Sequence, residues 1–153
     1  MPAPTDTSSR DARIFQAAGV LMLLAAVLLA VGSFAPWVSY VFPTGAALGR
    51  NAYEFGAGSS WTWFGPIILL GACLLAVFGA ATLFHPWRPN ICMPFIPTAF
   101  VGIEIADVWD GGFGHVTGAT TTLGAGSFLC LAGLVLGVAA SLFLLPAERA
   151  RTR

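Results

Sequence analysis

The chain has 153 residues, of which 57% are hydrophobic and 9% are charged, and its formal net charge is zero. Soluble domains carry about 25% charged residues, so this composition excludes an ordinary soluble domain and indicates an integral membrane protein. The seven cationic side chains are all arginines, and they form no basic cluster that would favour a nucleic acid as partner.

The N-terminal segment predicts a first transmembrane helix. Residues 1–13 form a short polar tail, and residues 14–35 then contain no charged side chain. This apolar run is longer than the roughly 7–15 residues typical of a signal peptide. It is also long enough to cross a hydrocarbon core of about 30 Å, so we expect an uncleaved span.

The first loop, residues 36–63, predicts a small β-hairpin. Strand-forming residues fill 37–42, and Pro43-Thr44-Gly45 is a turn signal. Residues 51–55 are the expected return strand. We expect this hairpin to cap one end of the helices.

Tryptophan is concentrated near the predicted ends of the spans. There the ring and its polar N–H can face different media, as in the aromatic belts of membrane proteins. This interpretation is favoured over a ligand-binding aromatic cage. The tryptophans concerned are Trp37, Trp61, Trp63, Trp87 and Trp109.

Three further apolar segments complete a predicted all-α bundle of four transmembrane helices. A turn with two prolines at 85–90 and a polar, glycine-rich loop separate them. The predicted spans cover about 14–35, 64–84, 91–109 and 123–145, with loops at 36–63 and 110–122 and a basic tail at 146–153.

The arginines predict the orientation of the bundle. Two lie in the N-terminal tail, one in the 85–90 turn and three at the C-terminal end, whereas the two opposite loops contain only Arg50. Cytoplasmic segments of membrane proteins are enriched in Lys and Arg. We therefore expect a bacterial inner-membrane protein with both termini in the cytoplasm.

Small residues recur four apart on two of the spans. Such spacing lets helix backbones approach closely within a bilayer. These ridges either close the bundle itself or dock a second protein, and the first alternative is favoured. They consist of Ala72, Ala76 and Ala80 in the second span, and of Gly133, Gly137 and Ser141 in the fourth.

Acidic side chains occur in the third span and at its end. Glu104 and Asp107 are three residues apart and share one helix face, and Asp110 follows. A carboxylate in lipid costs roughly a few kcal/mol or more, so it needs a partner or a function. Three alternatives stay open: a structural anchor that pairs with Arg50, an ion or proton site, and a contact with another subunit. His115 in the next loop is a second candidate partner.

The cysteines and histidines form no recognisable metal site. Cys73, Cys92 and Cys130 lie in or beside apolar runs, and an odd number without a pair in a loop forms no disulfide framework. The sequence contains no CxxC, HExxH or Cys/His pair at ligand spacing. We therefore expect neither metal nor cofactor, and we interpret the cysteines as packing residues.

The end of the first span and the loop after it carry a resemblance. Residues 33–38 (Ser-Phe-Ala-Pro-Trp-Val), followed by 52–56 and Trp61, resemble small actinobacterial four-span membrane proteins of unassigned function. In those proteins a Gly/Ser-x-x-Pro-Trp element leads into a short hairpin. The layout is also similar to claudin-like tetraspan proteins, although their paired loop cysteines are absent here. The resemblance covers roughly the first half of the chain and implies a topology, not an activity.

Function is predicted only in outline. No candidate nucleophile has a suitable base in its context, so we expect a non-enzymatic protein. The first hypothesis is an accessory or scaffold subunit of a larger bacterial membrane assembly, because little of the chain lies outside the bilayer. The alternative is a small oligomeric ion- or proton-coupled transporter or channel component that uses Glu104 and Asp107. The expected partners are the lipid bilayer and other membrane subunits or further copies of the chain.

Overall fold

The structure, a computed structural model, describes most of the chain. The backbone is described for residues 7–56, 63–84, 90–110 and 118–149, and the side chains for 12–54, 63–84, 90–106 and 118–146. The described elements are α1 (Thr7–Phe34), β1 (Val38–Val41), β2 (Ala47–Arg50), α2 (Ala52–Gly56), α3 (Phe64–Phe84), α4 (Cys92–Asp110), β3 (Thr120–Leu123) and α5 (Ala125–Arg149).

Three of the described helices are long and apolar enough to cross a membrane. The qualifying segments are 12–34 of α1, all of α3 and 125–146 of α5. In α4 the described side chains form a shorter apolar segment, Cys92–Ala106. A mostly helical protein with candidate membrane-spanning helices is therefore confirmed, with three such helices in the described chain instead of the four predicted.

Helices α1 and α5 extend beyond the predicted spans. α1 begins at Thr7 and not at residue 14, because the segment after Pro4 contains no proline or glycine to interrupt it. α5 continues through Pro146 to Arg149, since a proline near a helix end removes only one hydrogen bond. The predicted polar tails are thus partly helical, and their remaining residues lie outside the described chain.

The four long helices form a bundle in which each has two main neighbours. α1 packs against α3 and α5, and α4 packs against the same two helices. α1 and α4 are therefore diagonal to each other, and the contacts of α1 are the more extensive. Large apolar side chains that are fully buried fill the core, among them Met22, Leu29, Ile68, Leu75 and Leu144.

A three-stranded antiparallel sheet caps one end of this bundle. Its strand order is β2-β1-β3, so Val38 of β1 lies opposite Arg50 on one side and Leu123 on the other. The hairpin predicted in the first loop is present. The third strand was not predicted, since Thr120–Leu123 falls at the boundary between the expected loop and the expected fourth span.

The return strand of the hairpin lies earlier than predicted. The chain turns at Gly45, whose φ of +82° lies in the left-handed region that favours glycine. β2 then begins at Ala47, and of the expected return strand, 51–55, residues 52–55 belong instead to the short helix α2. Asn51 explains the difference, because its side chain accepts hydrogen bonds from two backbone amides and so starts a helix.

The sheet is attached to the ends of α1 and α5 through backbone contacts. The Gly124 N–H donates to the Trp37 carbonyl at 2.7 Å, and the Gly126 N–H donates to the Pro36 carbonyl at 2.8 Å. A Cβ atom on Gly126 would lie 2.6 Å from the carbonyl oxygen of Ala35. Glycine therefore permits the approach that fixes the cap to the bundle.

Candidate functional site

The acidic residues lie in the second half of α4 and near its end. Glu104 is half-buried. The backbones of Asp107 and Asp110 belong to α4, while their side chains lie outside the described ones, as does His115 altogether. Of the three acidic residues, Glu104 is the one whose side chain belongs to the described ones.

Glu104 lies at the edge of the buried face of α4. That face packs on both neighbouring helices: Val101 fills the space beside Gly71 of α3, and Thr98 the space beside Gly137 of α5. One turn after Val101, Glu104 lies between this face and an exposed surface of large apolar side chains. The exposed residues are Phe95, Ile96, Phe100 and Ile103. Among the described side chains, none makes a hydrogen bond or ion pair with the Glu104 carboxylate.

Arg50 lies in a groove at the sheet end of the bundle. It is exposed at the end of β2, which packs on β1 and α2, whereas α4 packs on α3 and α5. Leu48, Gly49, Arg50 and Glu54 line an open groove of about 310 Å³. Arg50 therefore shares a groove with Glu54, and among the described side chains no ion pair joins Arg50 to Glu104. A pairing of Arg50 with Asp107 falls outside the described side chains.

Glu54 is oriented by the start of α2. The Asn51 side-chain oxygen accepts from the backbone N–H groups of Tyr53 and Glu54, both at 3.0 Å. In return, the Asn51 N–H donates to Oε2 of Glu54 at 3.1 Å. This reciprocal arrangement is a capping box, which fixes one carboxylate oxygen of Glu54. The other oxygen, Oε1, accepts no hydrogen bond from the described residues.

Trp37 differs from the interfacial position predicted for it. It is fully buried, its ring meets Phe64 edge-on at 4.7 Å, and its indole N–H donates to the Gly32 carbonyl at 2.9 Å. In a continuing helix that carbonyl would accept from residue 36, but Pro36 has no N–H. The indole therefore satisfies a helix-end carbonyl.

Of the other four tryptophans in the predicted belt, the structure describes the side chain of Trp63. Trp63, just before α3, is 70% exposed, as an interfacial position requires. Trp61 and Trp87 lie outside the described residues, and the Trp109 side chain lies outside the described side chains. The belt remains a prediction at these three positions.

The predicted small-residue ridges lie inside the bundle. A Cβ atom on Gly133 would lie 3.0 Å from the Leu29 side chain of α1, and one on Gly137 would collide with Thr98. Ser141 is buried and donates to the Gly137 carbonyl at 3.0 Å. On α3, Ala72 is buried, and Ala76 and Ala80 are half-buried. These contacts favour closure of the bundle over docking of a second protein.

Further glycine contacts were missed by the sequence pattern. The backbones of α1 and α3 meet at Gly19 and Gly79, where a Cβ on Gly79 would lie 3.0 Å from the Gly19 carbonyl oxygen. α1 and α5 meet at Gly32 and Gly126 in the same way, at 2.7 Å. Gly19 and Gly32 are thirteen residues apart in sequence, so the four-residue spacing used to find ridges does not reveal them.

Two buried hydroxyl groups lack a hydrogen-bond partner within the described chain. One is the Thr98 Oγ1 at the α4–α5 contact, and the other is the phenol oxygen of Tyr53. A buried hydroxyl without a partner costs roughly 1–3 kcal/mol. Neither residue was singled out from the sequence, because threonine and tyrosine carry no pattern that reveals burial.

Comparison with known proteins assigns the chain to no family. No family model, no curated protein and no solved structure matches it. In the part of the chain that the structure describes, no group of three or more His, Cys, Asp and Glu could hold a metal ion. All three cysteines are free, and the Cys130 thiol lies 3.8 Å from the Leu29 carbonyl oxygen. Among the described side chains, the features left for a functional role are Glu104 and the groove beside Arg50.

Proposed function

We propose that the protein is a non-enzymatic accessory or scaffold subunit of a larger bacterial membrane assembly, and that Glu104 contacts its partner. The observation that carries this proposal is a half-buried carboxylate at the edge of α4 with no described partner inside the bundle. A carboxylate at the lateral surface of a membrane helix is costly in lipid. A donor on a neighbouring protein, such as Arg, Lys, His or a side-chain amide, would offset that cost.

The proposal includes four crossings of the bilayer, with α4 as one of them. β1 follows α1, β3 precedes α5, and the two strands pair, so they lie on one side of the membrane. α3 leads away from that side, and α4 is the described helix that leads back. Its nineteen residues span about 28 Å at 1.5 Å per residue, close to the hydrocarbon thickness.

The apolar surface beside Glu104 supports a lateral contact. Phe100 and Ile103 precede Glu104 by four residues and by one residue, and both are exposed on the outside of the bundle. The small-residue ridges are already used between the protein's own helices, so a partner helix would meet larger side chains. Contacts of this kind depend on dispersion and on polar groups, since lipid is as apolar as the side chains.

The alternative is an oligomeric transporter or channel component. Glu104 and the backbone of Asp107 are one turn apart on α4. A second copy of the chain packed on α4 would bring a second set of carboxylates to the contact, where they could share protons or a cation. We rank this below the accessory role because a single bundle offers no described path to Glu104.

The proposal is tested by purifying the full chain from its native membrane in mild detergent and measuring which proteins stay bound. Glu104→Gln keeps the shape of the side chain and removes its charge. Ile103→Ala trims the surface beside it. Leu24→Ala, on the diagonal helix α1 and also exposed, is the matched control for lost apolar surface.

We expect a stoichiometric partner with the wild type and with Leu24→Ala, and a weaker complex with Glu104→Gln and Ile103→Ala. Equal retention in all four proteins would contradict a contact through α4. A homo-oligomer without partners that conducts ions, and loses flux in Glu104→Gln, would replace the proposal with the transporter alternative.

A further inference from the structure

The groove beside Arg50 lies at the level where two of the long helices end. Tyr53 of α2 stacks on Phe34, the last residue of α1, with ring centroids 5.1 Å apart. The same ring lies against Gly65, in the first turn of α3. Phe34 and Trp63, the residue before α3, are both exposed. Exposed aromatic rings at the ends of spanning helices occupy the lipid headgroup zone, so the groove lies at the same depth.

The groove presents both signs of charge and an apolar surface. Arg50 and Glu54 line it together with Leu48, which is 48% exposed. Within the described chain, no ion pair joins Arg50 to Glu54. A guanidinium binds phosphate oxygens through two parallel hydrogen bonds, and the free oxygen of Glu54 can accept from an ammonium group. The charges thus fit one ligand that carries both a phosphate and a cation.

We propose that this groove binds the headgroup of a phospholipid with a phosphate diester and a primary ammonium group, as in phosphatidylethanolamine. Arg50 holds the phosphate, Glu54 accepts from the ammonium, and Leu48 contacts the start of an acyl chain. A glycerol headgroup offers Glu54 no cation, and a choline headgroup has no N–H to donate. The site goes beyond the accessory role and does not depend on Glu104 or on any protein partner.

The capping box allows the charge of Glu54 to be tested apart from its structural role. Glutamine at this position still accepts from the Asn51 N–H, since both Glu and Gln serve in capping boxes. Glu54→Gln therefore removes the charge while α2 keeps its start. Arg50→Gln removes the guanidinium, and Arg50→Lys keeps a charge without the planar fork. Arg13→Gln makes the same exchange at an exposed arginine near the opposite end of the bundle.

The experiment is native mass spectrometry of the purified full chain with dioleoyl lipids that carry ethanolamine, glycerol or choline headgroups. We expect tighter binding of the ethanolamine lipid than of the other two. Arg50→Gln should weaken that binding roughly tenfold, which corresponds to one charge-assisted contact, and Arg50→Lys should give an intermediate loss. Glu54→Gln should reduce the preference for ethanolamine over glycerol lipids. Arg13→Gln should leave both quantities unchanged.

Three results would overturn the proposal. The first is equal lipid binding by the wild type and Arg50→Gln, and the second is an unchanged headgroup preference in Glu54→Gln. The third is a loss of lipid binding in Arg13→Gln as large as that in Arg50→Gln. Soluble O-phosphoethanolamine that displaces the lipid at equal concentration would assign the groove to a small zwitterion instead of a lipid. Circular dichroism of each variant separates loss of binding from loss of fold. If Arg50→Gln still binds a protein partner, the accessory role does not depend on this lipid site.

Discussion

Trp37 is the residue that joins the sheet to the helices. Its backbone N–H donates to the Arg50 carbonyl at the end of β2, and its backbone carbonyl accepts from the Gly124 N–H just after β3. Its indole satisfies the Gly32 carbonyl, and its ring packs on Phe64 at the start of α3. The residue thus connects α1, α3 and the sheet, and the two contacts of its side chain make the removal of that side chain more costly than that of a lipid-facing tryptophan.

We predict that Trp37→Phe destabilises the fold by about 2–4 kcal/mol. The change leaves the buried Gly32 carbonyl without its donor, at a cost of roughly 1–3 kcal/mol, and a smaller ring leaves a cavity. Thermal unfolding in detergent should show the loss. Trp63→Phe is the control, because Trp63 is mostly exposed and its exchange should change the unfolding temperature little. Similar shifts for both variants would show that the indole hydrogen bond contributes nothing measurable.

The sequence predicts which residues are near the ends of spans, but not which way they face. Trp37 and Trp63 have the same aromatic character and similar positions, yet one is buried and the other exposed. The difference is connected with Pro36, whose missing N–H leaves the Gly32 carbonyl free to accept from the Trp37 indole. Glu104 is a similar case, since its helix was predicted and its location at the edge of the buried face was not.

At the scale of elements, the packing of α4 against α3 and α5 depends on close contacts. Its contact with α5 is made where Thr98, buried and without a described hydrogen bond, occupies the space beside Gly137. A methyl group on Gly137 would collide with the threonine side chain. A methyl group on Gly102, on the same helix as Thr98, would lie 4.0 Å from the nearest atoms of Leu134, which is ordinary contact. The two glycines therefore have different roles.

We predict that Gly137→Ala destabilises the bundle by about 1–3 kcal/mol, because the added methyl overpacks the α4–α5 contact. Thr98→Ala in the same protein should recover much of that loss, with a coupling energy of about 1 kcal/mol or more in a double-mutant cycle. Gly102→Ala should be neutral or stabilising, since alanine is favoured over glycine in a helix. Denaturation in mixed micelles measures all three. Additive effects of the two substitutions would contradict the contact.

At the scale of elements, the long helices were predictable and the sheet was only half predictable. Charge-free apolar runs with prolines or tryptophans at their ends define α1, α3 and α5 within a few residues, apart from the helical extensions into the tails. The hairpin has a local turn signal at Gly45. β3 has none, because its four residues pair with β1 about eighty positions earlier in the chain. A contact so distant in sequence leaves no local pattern.

The whole molecule is organised by the pairing of β1 with β3. This pairing places the end of α1 and the start of α5 together and closes the bundle with a backbone ladder. The segment between α3 and β3 must therefore return to the sheet end. α4 makes that return, and its apolar run is followed by Asp107 and Asp110 towards the sheet end.

Cysteine labelling tests both this return and the orientation of the bundle. In a background without native cysteines, single substitutions Thr44→Cys and Thr120→Cys at the sheet end should react with a membrane-impermeant maleimide in intact cells. Ala12→Cys and Asn90→Cys, at the other ends of α1 and α4, should react only after the cells are opened, because arginine-rich segments stay in the cytoplasm. The four wild-type residues, at positions 12, 44, 90 and 120, are all exposed in the described chain. Labelling of Asn90→Cys in intact cells would mean that α3 and α4 do not both cross the bilayer, and reversed labelling of all four would invert the orientation.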